Sequence, residues 1–295
     1  MAKHNSRGYE ILFNAPAGEI TEQAFEKLRH ENVFRYKTRT IKSGDILEIE
    51  VFPVYRDYKD ANRALKQNAT KEAQAKLNER NALRALCRKA NANFTKDDLH
   101  VTLTYKKGVL PDEKKALKDM QGYIRRVRYC RNKKGLPELK YIYVIEFFDG
   151  DGRRTRVHHH VIMSGMDRLV VKSLWPHGER VNVDELVPEN GSLEGLARYI
   201  AKQPGVKGGK QSKRWQASRN LIPYTKKTES EHKLSKKQAE RLASDVKGAA
   251  PQIFAKHFSE YALDECTVKS SEFVAGAYIY AKMHKDAGSK NCGRN

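Results

Sequence analysis

Lys140-Tyr141-Ile142-Tyr143-Val144-Ile145-Glu146-Phe147-Phe148, then Asp149-Gly150-Asp151-Gly152, then Arg154-Thr155-Arg156-Val157-His158-His159-His160-Val161-Ile162-Met163, is the stretch on which the fold turns. Two β-prone runs separated by turn residues predict an antiparallel hairpin, and a hairpin of this apolar content needs further strands and covering helices. Side chains alternate faces along a strand, so His158 and His160 share one side and His159 takes the other. Two imidazoles close together on a rigid strand are able to grip one divalent ion. Register decides the role of Glu146. With a connection of residues 149–152 it pairs with Thr155 and turns towards His159. One residue more pairs it with Arg156 and brings it to the His158 face.

Working outward, Leu99-His100-Val101-Thr102-Leu103-Thr104-Tyr105 reads as a compact strand with Leu99, Val101 and Leu103 on one face and the threonines on the other. Pro111, Asp112 and Glu113 open a helix, with proline at the first turn and acids near the positive end of the dipole. Its apolar positions Leu117, Met120, Ile124 and Val127 make one buried face. Further on, Glu179–Asp184 is a short strand, and Ser192 is the expected N-cap of a helix over Leu193–Lys202. Upstream, Phe34–Ile41 and Ile46–Phe52 form a second hairpin joined at Ser43-Gly44-Asp45. Lys59 to Asn91 is rich in helix formers, and Ile20–Leu28 fits a short helix. In the last third, Lys233–Leu242 and Phe273–Met283 read as helical. The expected organisation is α+β, a central antiparallel sheet with flanking helices. It runs as an N-terminal hairpin and helical region (1–92) packing on a core (93–205), followed by a basic, mostly helical C-terminal region (206–295).

The chain has 295 residues, 39% of them hydrophobic, enough for a substantial core. Its 57 Lys and Arg outnumber 36 Asp and Glu, for a net charge of +21, which points to a polyanionic partner, nucleic acid by default. No apolar run approaches the ~20 residues of a membrane helix, and no signal-peptide core follows Met1–Arg7, so a soluble, cytoplasmic protein without a membrane partner is expected. Cys87, Cys130, Cys266 and Cys292 are scattered without C-x-x-C pairing, which argues against a zinc ribbon or a disulfide framework. Gly209-Lys210 does not complete a phosphate-binding loop, since Pro204 and Gln211 occupy its first-glycine and Ser/Thr positions.

On the helix after the histidine strand, Tyr199 and Lys202 are three residues apart and share a face. A free phenol titrates near ~10, so a tyrosine nucleophile needs a nearby cation and a polarised target. Tyr224 and Lys227 repeat the spacing, but behind Pro223 in a basic, loop-like stretch. The order Val101-Thr102-Leu103-Thr104, then His158 and His160 around His159, then Tyr199 with Lys202, resembles the HUH endonucleases. Within them it is most similar to the single-tyrosine rolling-circle replication initiators of phages, prophages and small plasmids. The family's middle residue is usually bulky and apolar or aromatic, whereas here it is His159; alternation favours His158 with His160 as the metal pair.

The resemblance implies an HUH nuclease fold with a ferredoxin-like core, and catalysis by Tyr199 assisted by Lys202. It implies Mg or Mn held by His158, His160 and an acid from a neighbouring strand, for which Glu146 fits in the longer register. It further implies nicking and rejoining of single-stranded DNA at a replication origin through a 5′-phosphotyrosine, with host helicase and polymerase as partners. Imidazole ligands suit Mn somewhat better than Mg. Lys213, Arg214, Trp215 and Arg219 combine charge with an aromatic face, the chemistry of single-strand binding. The competing readings are a non-catalytic DNA-binding replication regulator and a transposase or relaxase using the same site.

Overall fold

The computed structural model describes residues 33–55, 71–148, 154–178, 180–201, 215–224, 228–271 and 274–286. The elements in chain order begin β1 (Val33–Ser43), β2 (Ile46–Tyr55), α1 (Lys71–Asn93), β3 (Leu99–Thr104), α2 (Glu113–Lys133), β4 (Tyr141–Phe148) and β5 (Arg154–Met163). They continue α3 (Arg168–Ser173), β6 (Val181–Glu185), α4 (Glu194–Ala201), β7 (Gln216–Ala217), β8 (Thr228–Ser230), α5 (Lys236–Ser244), α6 (Val246–His257), β9 (Tyr261–Ser271) and β10 (Val274–Lys285). The protein is α+β, with two five-stranded antiparallel sheets. It divides into two compact units, Met1–Arg84 with Tyr224–Asn295, and Ala85–Pro223. The stretches Ile20–Leu28, Lys59 to residue 70 and Lys202–Arg214 lie outside the described residues.

In the unit of Ala85–Pro223 the strand order is β6-β3-β5-β4-β7. The odd-numbered side chains of β5, Val157, Val161 and Met163, join Val101 and Leu103 of β3 and Met120, Tyr123 and Val127 of α2 in one buried core. α2 forms where its apolar residues recur along one face. Its N-cap is Asp112, whose carboxylate accepts the Lys115 N–H. Pro111 is therefore buried just ahead of the helix and not in its first turn. At its other end Arg131 is 3% exposed and donates to the carbonyls of Pro137 and Gly165, tying the α2–β4 connection to the end of β5.

In the other unit the order is β8-β1-β2-β10-β9. Ser43 pairs with Ile46, so Gly44 and Asp45 make the hairpin turn, and Gly44 takes the positive φ of 61° that such a turn favours. Ile49 and Val51 of β2 and Ile279, Ala281 and Met283 of β10 pack with Leu242 of α5 and Phe254 of α6. Residues Phe273–Met283, read as helical, thus form most of β10. Their Ala, Lys and Met favour helix in isolation, but Ala277, Ile279, Ala281 and Met283 alternate, and pairing with both β2 and β9 buries that face. α5 starts where expected, with Ser235 and Gln238 in a reciprocal capping box. The N-terminal hairpin and the C-terminal strands, expected as separate regions, share one sheet.

Candidate active site

β5 lies between β3 and β4, and its even-numbered side chains form the site. Thr104 sits opposite His158, and Thr102 opposite His160. On the other flank Glu146 pairs with His158 and Val144 with His160. Phe148 pairs with Arg154, which is the longer of the two connections. Between Phe148 and Glu146 the ladder then shifts, with two extra residues on β5. Glu146 consequently faces neither Thr155 nor Arg156. A shift of two keeps parity, so it stays on the His158 and His160 face.

The contacts are specific. Glu146 Oε2 is 3.0 Å from His160 Nε2. Thr104 Oγ1 is 3.1 Å from His158 Nδ1, and Thr102 Oγ1 is 3.4 Å from His160 Nδ1. The two imidazoles lie nearly parallel, with centroids 6.4 Å apart. Tyr199 stands edge-on to His160 at 5.6 Å between centroids. α4 holds it there by burying Ala197 and Ile200, while Tyr199 itself is 56% exposed and open to a large substrate. The helix start is anchored by Ser192 Oγ, which accepts the Glu194 N–H, and by Asn91, which accepts the Leu193 N–H.

Burial holds the His158 imidazole below its ordinary pKa against the opposing charge of Glu146, with His160 and Arg156 acting in the same direction as burial. His100, which the sequence reading did not single out, stacks on His160 at 5.8 Å. Burial and then His160 push it down to about 4, with Asp184 opposing. Its place on the threonine face of Leu99–Thr104 was the available signal. Neutral imidazole is the form a metal ion requires.

His159 points the other way. It is fully buried, with its ring 5.2 Å from Trp175 and its Nε2 3.4 Å from the Tyr105 hydroxyl. Tyr105 donates in turn to Asp119, and burial followed by the Asp119 charge raises the phenol, keeping it protonated. Burial drives the His159 pKa down to about 3 against the pull of Asp119.

The structure thus brings His158, His160, Glu146 and Tyr199 onto one face. Lys202, Lys213 and Arg214 lie outside the described residues. Trp215 sits beneath the Lys89 ammonium, and Arg219 is exposed on a turn. Both belong to a strap whose Gln216 and Ala217 pair with Tyr143 and Ile142, away from the Glu146 end of β4. Among the described residues no group of three or more His, Cys, Asp or Glu side chains is disposed to hold a metal ion, and the His160–Glu146 hydrogen bond ties up two of the expected donors.

The ordered run from β3 through the histidine strand to the tyrosine helix is also what a comparison with protein families detects. Residues 98–204 match the family model of replication-associated proteins of the ORF2 type. That segment begins just before β3, ends just past α4, and contains every strand and side chain of the site described above. No curated protein and no solved structure matches the chain. Among the described residues no helix is long and apolar enough to cross a membrane.

Proposed function

We propose that this protein is a metal-dependent endonuclease that nicks and rejoins single-stranded DNA at a replication origin, with Tyr199 as nucleophile. The observation that carries the reading is the placement of an exposed tyrosine edge-on to His160, whose Nε2 meets Glu146, within the segment similar to replication-associated proteins. His158, His160 and Glu146 would hold the ion. The donor chemistry fits, since both imidazoles have Nδ1 engaged by threonine and a carboxylate lies on the same face. Bound there, Mg or Mn would supply Lewis-acid stabilisation of the phosphoryl oxygens.

The chain's own residues do the rest. Tyr199 Oη attacks phosphorus, an O–P bond to tyrosine forms as the P–O3′ bond breaks, and the phenolic proton ends on the released 3′-OH. One phosphodiester replaces another, so rejoining by the reverse step needs no external energy source. The free 3′-OH is a primer for a host polymerase, and a host helicase would open the duplex ahead of it. Lys202, one helical turn from Tyr199, would steady the phosphate, and the basic balance of the chain favours the polyanion throughout. Lys213, Arg214, Trp215 and Arg219 are proposed to track the strand beyond the cleavage point.

The test is a labelled single-stranded origin oligonucleotide incubated with the full chain and Mn. A denaturant-stable protein–DNA adduct is expected, absent in Tyr199→Phe. An adduct that persists in Tyr199→Phe and vanishes in Tyr224→Phe moves the nucleophile, and the absence of any metal-dependent adduct favours a non-catalytic DNA-binding role.

A further inference from the structure

The Val101-Thr102-Leu103-Thr104 stretch has so far served only as a strand, yet both of its threonines meet a histidine. We infer that Thr102 and Thr104 are positioning residues, their hydroxyls holding the Nδ1 atoms of His160 and His158 so that both Nε2 atoms are presented to a divalent ion. The inference rests on the reading of His158, His160 and Glu146 given above.

Register makes the match a consequence of the strand. β3 and β5 are antiparallel, Thr102 is opposite His160, and Thr104 is opposite His158. Leu99, Val101 and Leu103 are committed to the core, so both threonines are forced onto the histidine face. Two residue pairs, spaced by two on each strand, give the same Oγ1···Nδ1 contact, at 3.1 Å for Thr104 and 3.4 Å for Thr102. Threonine is stiff at χ1, which fixes where its oxygen sits. Thr104 is held further through its carbonyl, which accepts the Trp175 indole N–H at 3.1 Å.

A hydroxyl is suited to this place because it both donates and accepts. While His160 Nε2–H donates to Glu146, a neutral ring has a bare Nδ1, to which Thr102 donates. When Nε2 binds a cation the ring hydrogen must sit on Nδ1, and the same oxygen accepts it. Valine has threonine's shape without this capacity. It would leave a buried Nδ1 unpartnered in either state and release the ring from its orientation.

The experiment titrates Mn alone into the full-length protein, followed by electron paramagnetic resonance, for wild type, Thr104→Val, Thr102→Val, Thr104→Ser and His158→Ala, with thermal unfolding recorded for each. Loss of such a partner weakens metal binding by about 10–100-fold. Thr104→Val is expected in that range. Thr102→Val should fall less, because its contact is longer and Glu146 also orients His160. Thr104→Ser, which keeps the oxygen, should stay near wild type. Nitrogen-15 spectra of the imidazoles with and without Mg should show His160 moving its hydrogen from Nε2 to Nδ1 in wild type. Binding that depends on His158 but is equal in wild type and both valine variants overturns the inference alone. Wild type that shows no His158-dependent binding overturns the metal-site reading, and the inference with it.

Discussion

Replacing His159 with leucine separates the two faces of the histidine strand. His159 is fully buried, and its Nδ1 has no partner among the described residues. That orphan nitrogen costs about 1–3 kcal/mol, which the substitution recovers. Against it stand the 3.4 Å contact with Tyr105, worth at most about 1 kcal/mol, and the ring contact with Trp175, worth about 0.5–1.5 kcal/mol. Tyr105 keeps its bond to Asp119, so no new unpartnered group appears. The opposing contributions cancel to within about 1.5 kcal/mol. Both tryptophans of the chain, Trp175 and Trp215, lie in the unit of Ala85–Pro223, so urea unfolding followed by tryptophan fluorescence reports that unit. The expected result is a midpoint close to wild type and an adduct yield close to wild type with Mn and the origin oligonucleotide, while His158→Ala gives none. If His159→Leu loses the adduct as completely as His158→Ala with an unchanged unfolding midpoint, the assignment of faces by strand alternation is refuted.

Other perturbations probe the supports of the two units. A Cβ at Gly178 would lie 1.9 Å from the Thr104 carbonyl oxygen, so Gly178→Ala must displace the end of β3; a loss of about 1–3 kcal/mol in fluorescence-detected unfolding is expected, together with weaker Mn binding. Ser235→Ala removes the α5 capping box and should cost about 1 kcal/mol by thermal unfolding, whereas Ser235→Asp should recover most of it. In the same unit the Gln238 side-chain oxygen accepts the Ser235 N–H, leaving its NH2 to donate to His257 Nε2, which accepts only when unprotonated. Burial, with Lys233 and Lys256 acting in the same direction, holds His257 below its ordinary value. A histidine whose folded pKa is depressed contributes stability that is present above its unfolded value of ~6.5 and lost as pH falls below it. Thermal unfolding of this unit by circular dichroism should therefore weaken from about pH 8 to about pH 5, and the His257→Leu variant should show a flatter profile.

Much of the candidate site was legible because it depends on local period. Alternation placed Thr102 and Thr104 on one face of β3 and separated His158 and His160 from His159, and cap chemistry placed α2 and α5. What could not be read was whatever depends on a partner strand. The two extra residues on β5 change Glu146's neighbour to His158 without leaving any trace in the alternating pattern. β10 was misread because its alanines, lysine and methionine are good helix formers, and only pairing on both sides makes its alternating face a buried one. Trp215 and Arg219 looked like a basic strand-binding segment by composition, yet Gln216 and Ala217 between them close the edge of β4.

The sequence by itself determined the α+β composition, the hairpin of β4 and β5, the shared face of His158 and His160, and the tyrosine helix that follows. Each of these is a short-range consequence of side-chain alternation, helical period or turn chemistry. The tertiary structure alone decided that Glu146 meets His160, that two threonines grip the histidines, and that the first hairpin shares a sheet with the last strands. Those contacts are set by register and by the burial of faces, and both come into being only when strands distant in the chain are laid side by side.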